Sequence, residues 1–196
     1  MNLPNKLTLS RMVLTLAFLV VVFSHMAWYE TIALIIFSIA SLTDYFDGKI
    51  ARERKLITSF GILMDPLADK VLICSAFISF VELKWMPAWM VVVVVARELT
   101  ITGLRLLAAS KNVVMAAERY GKHKTISQIV AVIAILLVHA HEQWGVVGQL
   151  FSFNLLGFGP WIGWFSELAK WVAVILTFYS GSVYLWRNRE LFLKDM

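Results

Sequence analysis

The sequence predicts an all-α integral membrane protein with six transmembrane helices and no attached soluble domain. Of its 196 residues, 60% are hydrophobic and 16% are charged, whereas soluble domains have about 45–50% apolar and about 25% charged residues. The mean hydropathy is +0.75. One compact core in a chain of this length cannot bury such an excess of apolar residues. Disorder is excluded too, because disordered chains are poor in aromatic and branched residues.

Six apolar runs follow one another along the chain, each near the roughly 20 residues that cross about 30 Å of hydrocarbon. They lie at 7–23, 31–42, 62–81, 85–109, 125–140 and 168–186. The second run is expected to continue as a helix into an acidic segment that begins at Asp44. The first is expected to be retained, because no small-residue cleavage site follows it. Residues 1–196 therefore form a single predicted transmembrane domain.

The stretch 144–165 is the part of the chain that resists assignment to a span. It contains five glycines and Pro160 among several aromatic residues. This composition opposes a regular helix and is typical of an interfacial loop with aromatic anchors at headgroup depth. A re-entrant element is the alternative.

Basic residues are segregated by the six-span arrangement. All of the 18 Lys and Arg residues lie on the side of the two termini except Lys84, Lys170 and Arg97. The positive-inside rule then places both termini in the cytoplasm of a multi-pass protein of the cell (inner) membrane. Because these cations flank apolar spans, we assign them to anionic lipid headgroups and expect no nucleic-acid partner.

Four aspartates lie at the cytoplasmic ends of spans 2 and 3. Asp44 and Asp47 are three residues apart, and Asp65 and Asp69 are four apart, so each pair projects from one helix face. Antiparallel helices that face each other would bring all four carboxylates together. Oxygen ligands favour Mg²⁺ or Mn²⁺, and two such ions are suited to phosphoryl transfer. Solvation at the helix ends and pairing with nearby basic residues would explain only one or two of them.

Small and basic residues accompany the first acidic pair. Gly48 and Ala51 share its side of the helix, where an absent side chain lets a ligand approach the backbone. Close helix packing explains Gly48 equally well. Arg52 lies one turn further on and can reach phosphate oxygens.

These residues carry a resemblance to a known family. Asp44, Asp47, Gly48, Ala51, Arg52, Gly61, Asp65 and Asp69 match without a gap the signature Asp-x2-Asp-Gly-x2-Ala-Arg-x8-Gly-x3-Asp-x3-Asp. This signature is that of the CDP-alcohol phosphatidyltransferases, whose six-span helical architecture covers the whole chain. The stretches NLPNKLTLSR, DPLADKVL, ARELTITGLR and GKHKT look like the bacterial phosphatidylglycerophosphate synthases. Leu106 departs from that pattern, because an acidic residue is expected after Arg105.

The resemblance implies an activity and the roles of the signature residues. The expected reaction joins CDP-diacylglycerol to glycerol 3-phosphate and yields phosphatidylglycerol phosphate and CMP, with the active site facing the cytoplasm. The four aspartates would bind two divalent metals per site, and Asp69 would be the general base. A homodimer is implied as well. The residues assigned to CDP-diacylglycerol are Gly48, Arg52, Thr58, Gly61, Asn5 and Thr8. For Asn5 and Thr8, capping of the first helix is an equal alternative.

The acceptor phosphate requires cationic donors in the same cavity. The candidates are Arg97, Arg105, Arg119, Lys122, Lys124 and Thr125. Headgroup solvation is an equal alternative for each except Arg97, since an arginine in mid-span needs a partner or a wet cavity. Glu98 follows it directly and points about 100° away, so it is not the expected partner. We expect Arg97 to face the active-site cavity and support the acceptor pocket.

Two alternatives to this activity stay open at the level of sequence. A sister enzyme with another alcohol, making cardiolipin, phosphatidylserine or a phosphatidylinositol phosphate, shares the same donor signature. The basic GKHKT stretch favours a phosphorylated acceptor. A divalent-cation transporter would also hold carboxylates in the membrane, but it predicts acidic residues spread across the membrane depth rather than clustered at one end.

Overall fold

The computed structural model describes the backbone of residues 3–54, 59–110, 119–154 and 159–189. Side chains are described for 9–43, 68, 70–108, 123–154 and 159–189. The long helices of this part of the chain are α1 Leu3–Ser24, α2 Tyr29–Arg54, α3 Ser59–Glu82, α4 Ala88–Ser110, α5 Arg119–Ala140 and α7 Trp161–Arg187. A 3₁₀ turn at His141–Trp144 and the short α6, Val146–Gln149, follow α5. The described residues form no strand, which confirms the all-α prediction.

Two helix boundaries bear on the predicted site. α2 continues past its apolar run to Arg54, which confirms the expected extension into the acidic segment. α1 begins at Leu3, so Asn5 and Thr8 lie inside its first two turns rather than before it. The capping alternative for these two residues is therefore wrong, because a capping residue directly precedes the first helical turn.

The six long helices pack as a ring. In order around the ring they are α1, α2, α5, α7, α4 and α3, and α3 also contacts α5 across the middle. Successive long helices run in opposite directions, so the bundle has two ends. The site end holds the start of α1, the end of α2, the start of α3, the end of α4, the start of α5 and the end of α7. The far end holds the remaining termini, including the α3–α4 connection with Lys84 and Trp85.

Apolar side chains fill the interior and also cover the outside. The core includes Phe18, Phe37, Phe77 and Leu136, which are fully buried. Large apolar residues are nevertheless exposed along α1, α2, α4 and α7, with Val20 71% and Leu99 67% exposed. A contiguous apolar exterior on long helices is unfavourable in water and is satisfied by lipid. The surface therefore supports membrane association.

Two of the described helices are candidate membrane spans by their length and composition. The stretches His123–Trp144 and Trp161–Arg187 are long and apolar enough to cross a membrane, and Leu9–Ser24 and Tyr29–Thr43 are shorter apolar helices. α4 has the length of a span but carries Arg97, Glu98 and Arg105. These charges are the reason that composition by itself does not identify it as a span.

The prediction of an interfacial loop over 144–165 is wrong at both ends of that segment. Trp144 closes the 3₁₀ turn, α6 follows directly, and α7 begins at Trp161, seven residues before the predicted sixth span. Pro160 immediately precedes α7, where its missing N–H costs nothing because the first turn of a helix has free N–H groups. Aromatic contacts such as Trp144 with Phe151 pack the residues between the helices.

Candidate active site

The signature aspartates lie on two helices whose nearby ends belong to the same end of the bundle. Residues 55–58 join the end of α2 to the start of α3, and both helices pack against α1. Asp44 is ten residues from the end of α2, and Asp69 is ten residues from the start of α3. A rise of 1.5 Å per residue places both Cα atoms about 15 Å from those helix ends.

The other aspartate of each pair also lies at a similar distance from the adjoining helix end. Asp47 is seven residues from the end of α2, and Asp65 is six residues from the start of α3, which is about 10 Å from the helix ends. The backbone therefore brings the four positions to matching levels on two antiparallel helices that share a neighbour. The side chains of the four aspartates lie outside the described residues.

A pair of divalent cations fits the chemistry of these donors. The set supplies carboxylate oxygens with no His or Cys among the signature positions, and hard cations such as Mg²⁺ and Mn²⁺ prefer oxygen ligands. Among the described side chains, no group of three or more His, Cys, Asp and Glu residues is arranged to hold a metal. The four aspartates remain the candidate ligands.

The predicted acceptor residues Arg97 and Lys124 meet at one carboxylate. Glu98 is 4% exposed, and its Oε1 lies 3.6 Å from Nη1 of Arg97. The same oxygen accepts a hydrogen bond from Nζ of Lys124, which is also 4% exposed. The expectation that Glu98 would not pair with Arg97 is therefore wrong. The long arginine side chain reaches across the 100° that separates adjacent positions on the helix.

Arg105 is held against the last helix. Its Nε donates a hydrogen bond to the hydroxyl of Tyr184 on α7 at 3.3 Å, and its guanidinium carbon lies 5.6 Å from the centre of the Tyr184 ring. A cation over an aromatic face adds about 0.5–1 kcal/mol at exposed sites. Arg105 is five residues from the end of α4 and Tyr184 three from the end of α7, so both lie at the site end.

An apolar groove separates α4 from α7 on the outer side of Arg97. Its volume is about 310 Å³. The lining residues are Val92, Val93, Ala96, Arg97, Thr100, Ile101, Phe178, Ser182 and Leu185. Arg97 thus borders a mostly apolar groove, and the expectation that it faces the active-site cavity stays a prediction.

The remaining candidates have less structural description. Gly48, Arg52 and Gly61 lie within α2 and α3, and Arg119 and Lys122 lie in the first turn of α5. Their side-chain surroundings fall outside the described residues, as does Thr58 entirely. Thr125 is half-buried and follows Lys124 on α5.

Polar contacts between α4, α5 and α7 include residues that sequence reasoning missed. Gln128 on α5 is fully buried and donates a hydrogen bond from Nε2 to Oγ1 of Thr177 on α7 at 3.0 Å. Gly181 on α7 lies directly against the side chain of Arg97. Glu98 was named in the sequence only as an unexpected partner for Arg97, although a charged residue inside an apolar run is itself a signal of a paired or functional group. No feature of the sequence distinguishes Gly181 from the other glycines.

Comparison with known proteins identifies the family of the chain. The family model described as CDP-alcohol phosphatidyltransferase matches residues 1–179. The chain belongs to this family. The match includes the whole signature segment and all six long helices up to the last turns of α7, and it confirms the resemblance predicted from the eight signature residues.

Two relatives within the CDP-alcohol phosphatidyltransferase family are similar to this chain over nearly its full length, and a third over two thirds of it. The CDP-diacylglycerol–glycerol-3-phosphate 3-phosphatidyltransferase of Bacillus subtilis is 41% identical, with 96% of both chains covered. The protein of the same name from Rickettsia felis is 30% identical, with 97% of both chains covered. A probable phosphatidylglycerophosphate synthase of Mycobacterium tuberculosis is 42% identical over 67% of this chain and 64% of its own length.

Proposed function

We propose that the protein transfers a phosphatidyl group from CDP-diacylglycerol to glycerol 3-phosphate, giving phosphatidylglycerol phosphate and CMP. The observation that carries the proposal is the placement of the four signature aspartates at matching levels of α2 and α3. Cationic residues of α4 and α5 lie at the same end of the bundle. The names of relatives that align over almost the whole chain support this choice of donor and acceptor.

The donor site is proposed on α1, α2 and α3. Asp44, Asp47, Asp65 and Asp69 would hold two Mg²⁺ or Mn²⁺ ions, which when bound supply charge neutralisation for the pyrophosphate and the departing CMP. The residues proposed to contact the cytidine diphosphate are Gly48, Arg52, Thr58, Gly61, Asn5 and Thr8. Both Asn5 and Thr8 lie on α1, the helix that packs against α2 and α3, so their position is compatible with this role.

The chemical step is a displacement at the lipid-linked phosphorus. Asp69 is the proposed general base, and it takes the proton from the attacking hydroxyl of glycerol 3-phosphate. The hydroxyl oxygen forms the new bond to phosphorus while the bond from that phosphorus to the bridging oxygen of the pyrophosphate breaks. CMP leaves with the electron pair of that bond.

The acceptor site is proposed along α4 and α5. Arg97 and Lys124 share the Glu98 carboxylate, and Arg105 is anchored by Tyr184 at the site end. Arg119, Lys122 and Thr125 complete the proposed set on the first turns of α5. Arginine and lysine are the usual donors to phosphate oxygens, and a phosphorylated acceptor is what such a set would select.

We propose that all six long helices cross the inner membrane, with both termini and the active site in the cytoplasm. The exposed apolar surface, the two span-like helices and the segregation of basic residues support this arrangement. Lys84 and Lys170 both lie at the far end, as the predicted orientation requires. A homodimer is the assembly that the family resemblance implies. Labelling of single cysteines from each side of sealed vesicles tests the orientation.

Acceptor competition tests the proposed reaction. Purified protein is given CDP-diacylglycerol and Mg²⁺ with labelled glycerol 3-phosphate, serine, inositol phosphate or phosphatidylglycerol. We expect preferred incorporation of glycerol 3-phosphate with stoichiometric release of CMP, and no turnover after chelation of the metal. Preference for any other acceptor would identify a sister enzyme instead. Cation uptake by proteoliposomes without CMP release would indicate a transporter.

A further inference from the structure

Glu98 is a buried carboxylate that two cations share. It lies in the middle of α4, while Lys124, 26 positions further along the chain, lies on α5. The exposed fraction of the side chain is 5% for both Glu98 and Lys124 and 13% for Arg97. Moving a charge out of water costs several kcal/mol, and the cost is recovered only through well-formed pairing. Glu98 therefore makes it possible for Arg97 and Lys124 to lie side by side inside the bundle.

Gly181 determines where Arg97 can lie. A Cβ atom added at Gly181 would be 2.8 Å from Cγ of Arg97, 3.8 Å from its Cβ and 3.9 Å from its Nε. Real Cβ atoms do not approach a neighbour to 2.8 Å, and Cγ is the inner part of the arginine rather than its flexible tip. The arginine side chain thus lies across the α7 backbone at a point where only glycine leaves room for it.

The same helix contains a glycine without this constraint. Gly163 is also within α7, and a Cβ atom added there meets nothing within 4 Å. Changing either glycine to alanine alters helix propensity in the same way. Only the change at position 181 displaces Arg97, so the two substitutions form a matched pair.

We propose that Glu98 and Gly181 are positioning residues for the acceptor phosphate. The negative charge of Glu98 sets the separation of the Arg97 and Lys124 cations. The absence of a side chain at Gly181 sets the path of the Arg97 side chain. Glu98 lies on α4 and Gly181 on α7, whereas the signature aspartates lie on α2 and α3, so we expect their effect to fall on the acceptor rather than on CDP-diacylglycerol. The inference rests on the proposed function, which places Arg97 and Lys124 at the phosphate of glycerol 3-phosphate.

Steady-state kinetics of Glu98→Gln, Glu98→Asp and Gly181→Ala test this role, with Gly163→Ala as the control. We expect Glu98→Gln and Gly181→Ala to raise KM for glycerol 3-phosphate by about tenfold or more, the lower part of the range for groups that orient a ligand's direct contacts. KM for CDP-diacylglycerol should stay within twofold. Glu98→Asp keeps the charge and should raise KM for glycerol 3-phosphate less than Glu98→Gln does. Gly163→Ala should have the KM values of the wild type.

Inorganic phosphate provides a second readout that a purely structural role would not change. As a competitive inhibitor against glycerol 3-phosphate, it should bind Glu98→Gln and Gly181→Ala more weakly than wild type by the same factor as the substrate. If Glu98→Gln does not accumulate in the membrane, Gly181→Ala decides, because it retains every charge. Equal losses for donor and acceptor, or an unchanged acceptor KM in both variants, would overturn the positioning role.

The wild-type enzyme separates this inference from the proposed function. If it prefers an acceptor other than glycerol 3-phosphate, the proposed function is wrong and the positioning role that rests on it is overturned. If it prefers glycerol 3-phosphate and neither variant changes KM for it, the function stands and the positioning role alone is overturned.

Discussion

The two ends of the bundle bury polar groups in different ways. At the far end, Glu30 accepts a hydrogen bond from Gln143, Trp144 donates to Thr31, and Lys170 pairs with Glu167 beside the carbonyl of Trp85. At the site end, one carboxylate, Glu98, serves two cations from two helices.

The far end is closed further by aromatic packing. The rings of Trp85 and His139 are stacked with centroids 3.9 Å apart, and the ring of Tyr29 is stacked with that of Trp85 at 6.5 Å. Stacked rings and mutually hydrogen-bonded side chains stabilise helix ends. The comparison indicates that polar residues at the far end hold the helices together, whereas those at the site end are the ones that the proposed function assigns to ligands.

The largest difference in kcat is expected between two variants that carry the same carboxylate-to-amide change, one at each end of the bundle. Asp47→Asn should lower kcat by more than about 10³-fold, at or beyond the upper range for a group that stabilises charge in the transition state. Glu30→Gln should leave kcat within twofold, because among the described residues Glu30 accepts its hydrogen bond from Gln143 at the far end. CMP release at saturating substrates and Mg²⁺ measures both. Equal activity of the two variants would contradict the assignment of the metal site.

Asp69→Asn sharpens the roles within the site end. Loss of a general base lowers the rate by about 10²–10⁴-fold, and we expect a loss in the lower part of that range. The amide retains part of the metal and donor binding, so CDP-diacylglycerol should still bind to the variant. Binding of radiolabelled donor and single-turnover rates distinguish the two effects. Normal turnover by this variant would exclude Asp69 as the base.

Replacing the buried lysine at each end tests the contrast in pairing. Lys124→Met leaves Glu98 buried with one partner fewer, and removal of one member of a buried pair costs about 3–5 kcal/mol. Lys170→Met leaves Glu167, whose side chain is 60% exposed and can be solvated. We expect a clearly lower unfolding temperature and a higher acceptor KM for Lys124→Met. The matched change at Lys170 should have a smaller thermal effect and an unchanged KM.

The smallest effect is expected from a single far-end hydroxyl. Thr31→Val removes the acceptor of the Trp144 indole N–H at 2.9 Å and the donor to Gln143 at 3.2 Å. The loss should be about 1 kcal/mol of unfolding free energy, with kinetics unchanged. Thr100→Val on the exposed face of α4 is the control and should leave the melting temperature unaltered. A change in acceptor KM on substitution of Thr31 would break the separation of the two ends.

Local sequence patterns predicted the helices and the acidic pairs because both depend on residues a few positions apart. The run at 31–42 predicted a helix that continues into the acidic segment from Asp44, and the structure shows that this helix ends at Arg54. The glycine-rich stretch 144–165 misled the prediction, because packing of aromatic residues there stabilises helical turns that glycine disfavours. Propensity is a weak guide where tertiary contacts are strong.

The acceptor region was predicted by residue type but not by partnership. Arg97 and Lys124 were identified as cations inside or beside apolar runs, yet their meeting at Glu98 depends on α4 and α5 both packing against α7. Adjacent positions on a helix point about 100° apart, but this angle describes the Cβ directions. It does not limit where the guanidinium of a flexible arginine side chain can lie. Gly181 acquires its meaning only from the helix that faces it.

The sequence by itself determined the helical class, the family and the level of each aspartate along its helix, because helix geometry converts residue spacing into distance. Only the tertiary structure decided that Glu98 takes two cations, that Tyr184 holds Arg105 and that Gly181 makes room for Arg97. Those contacts join side chains from different helices, and their geometry depends on how the ring of helices closes rather than on any local pattern.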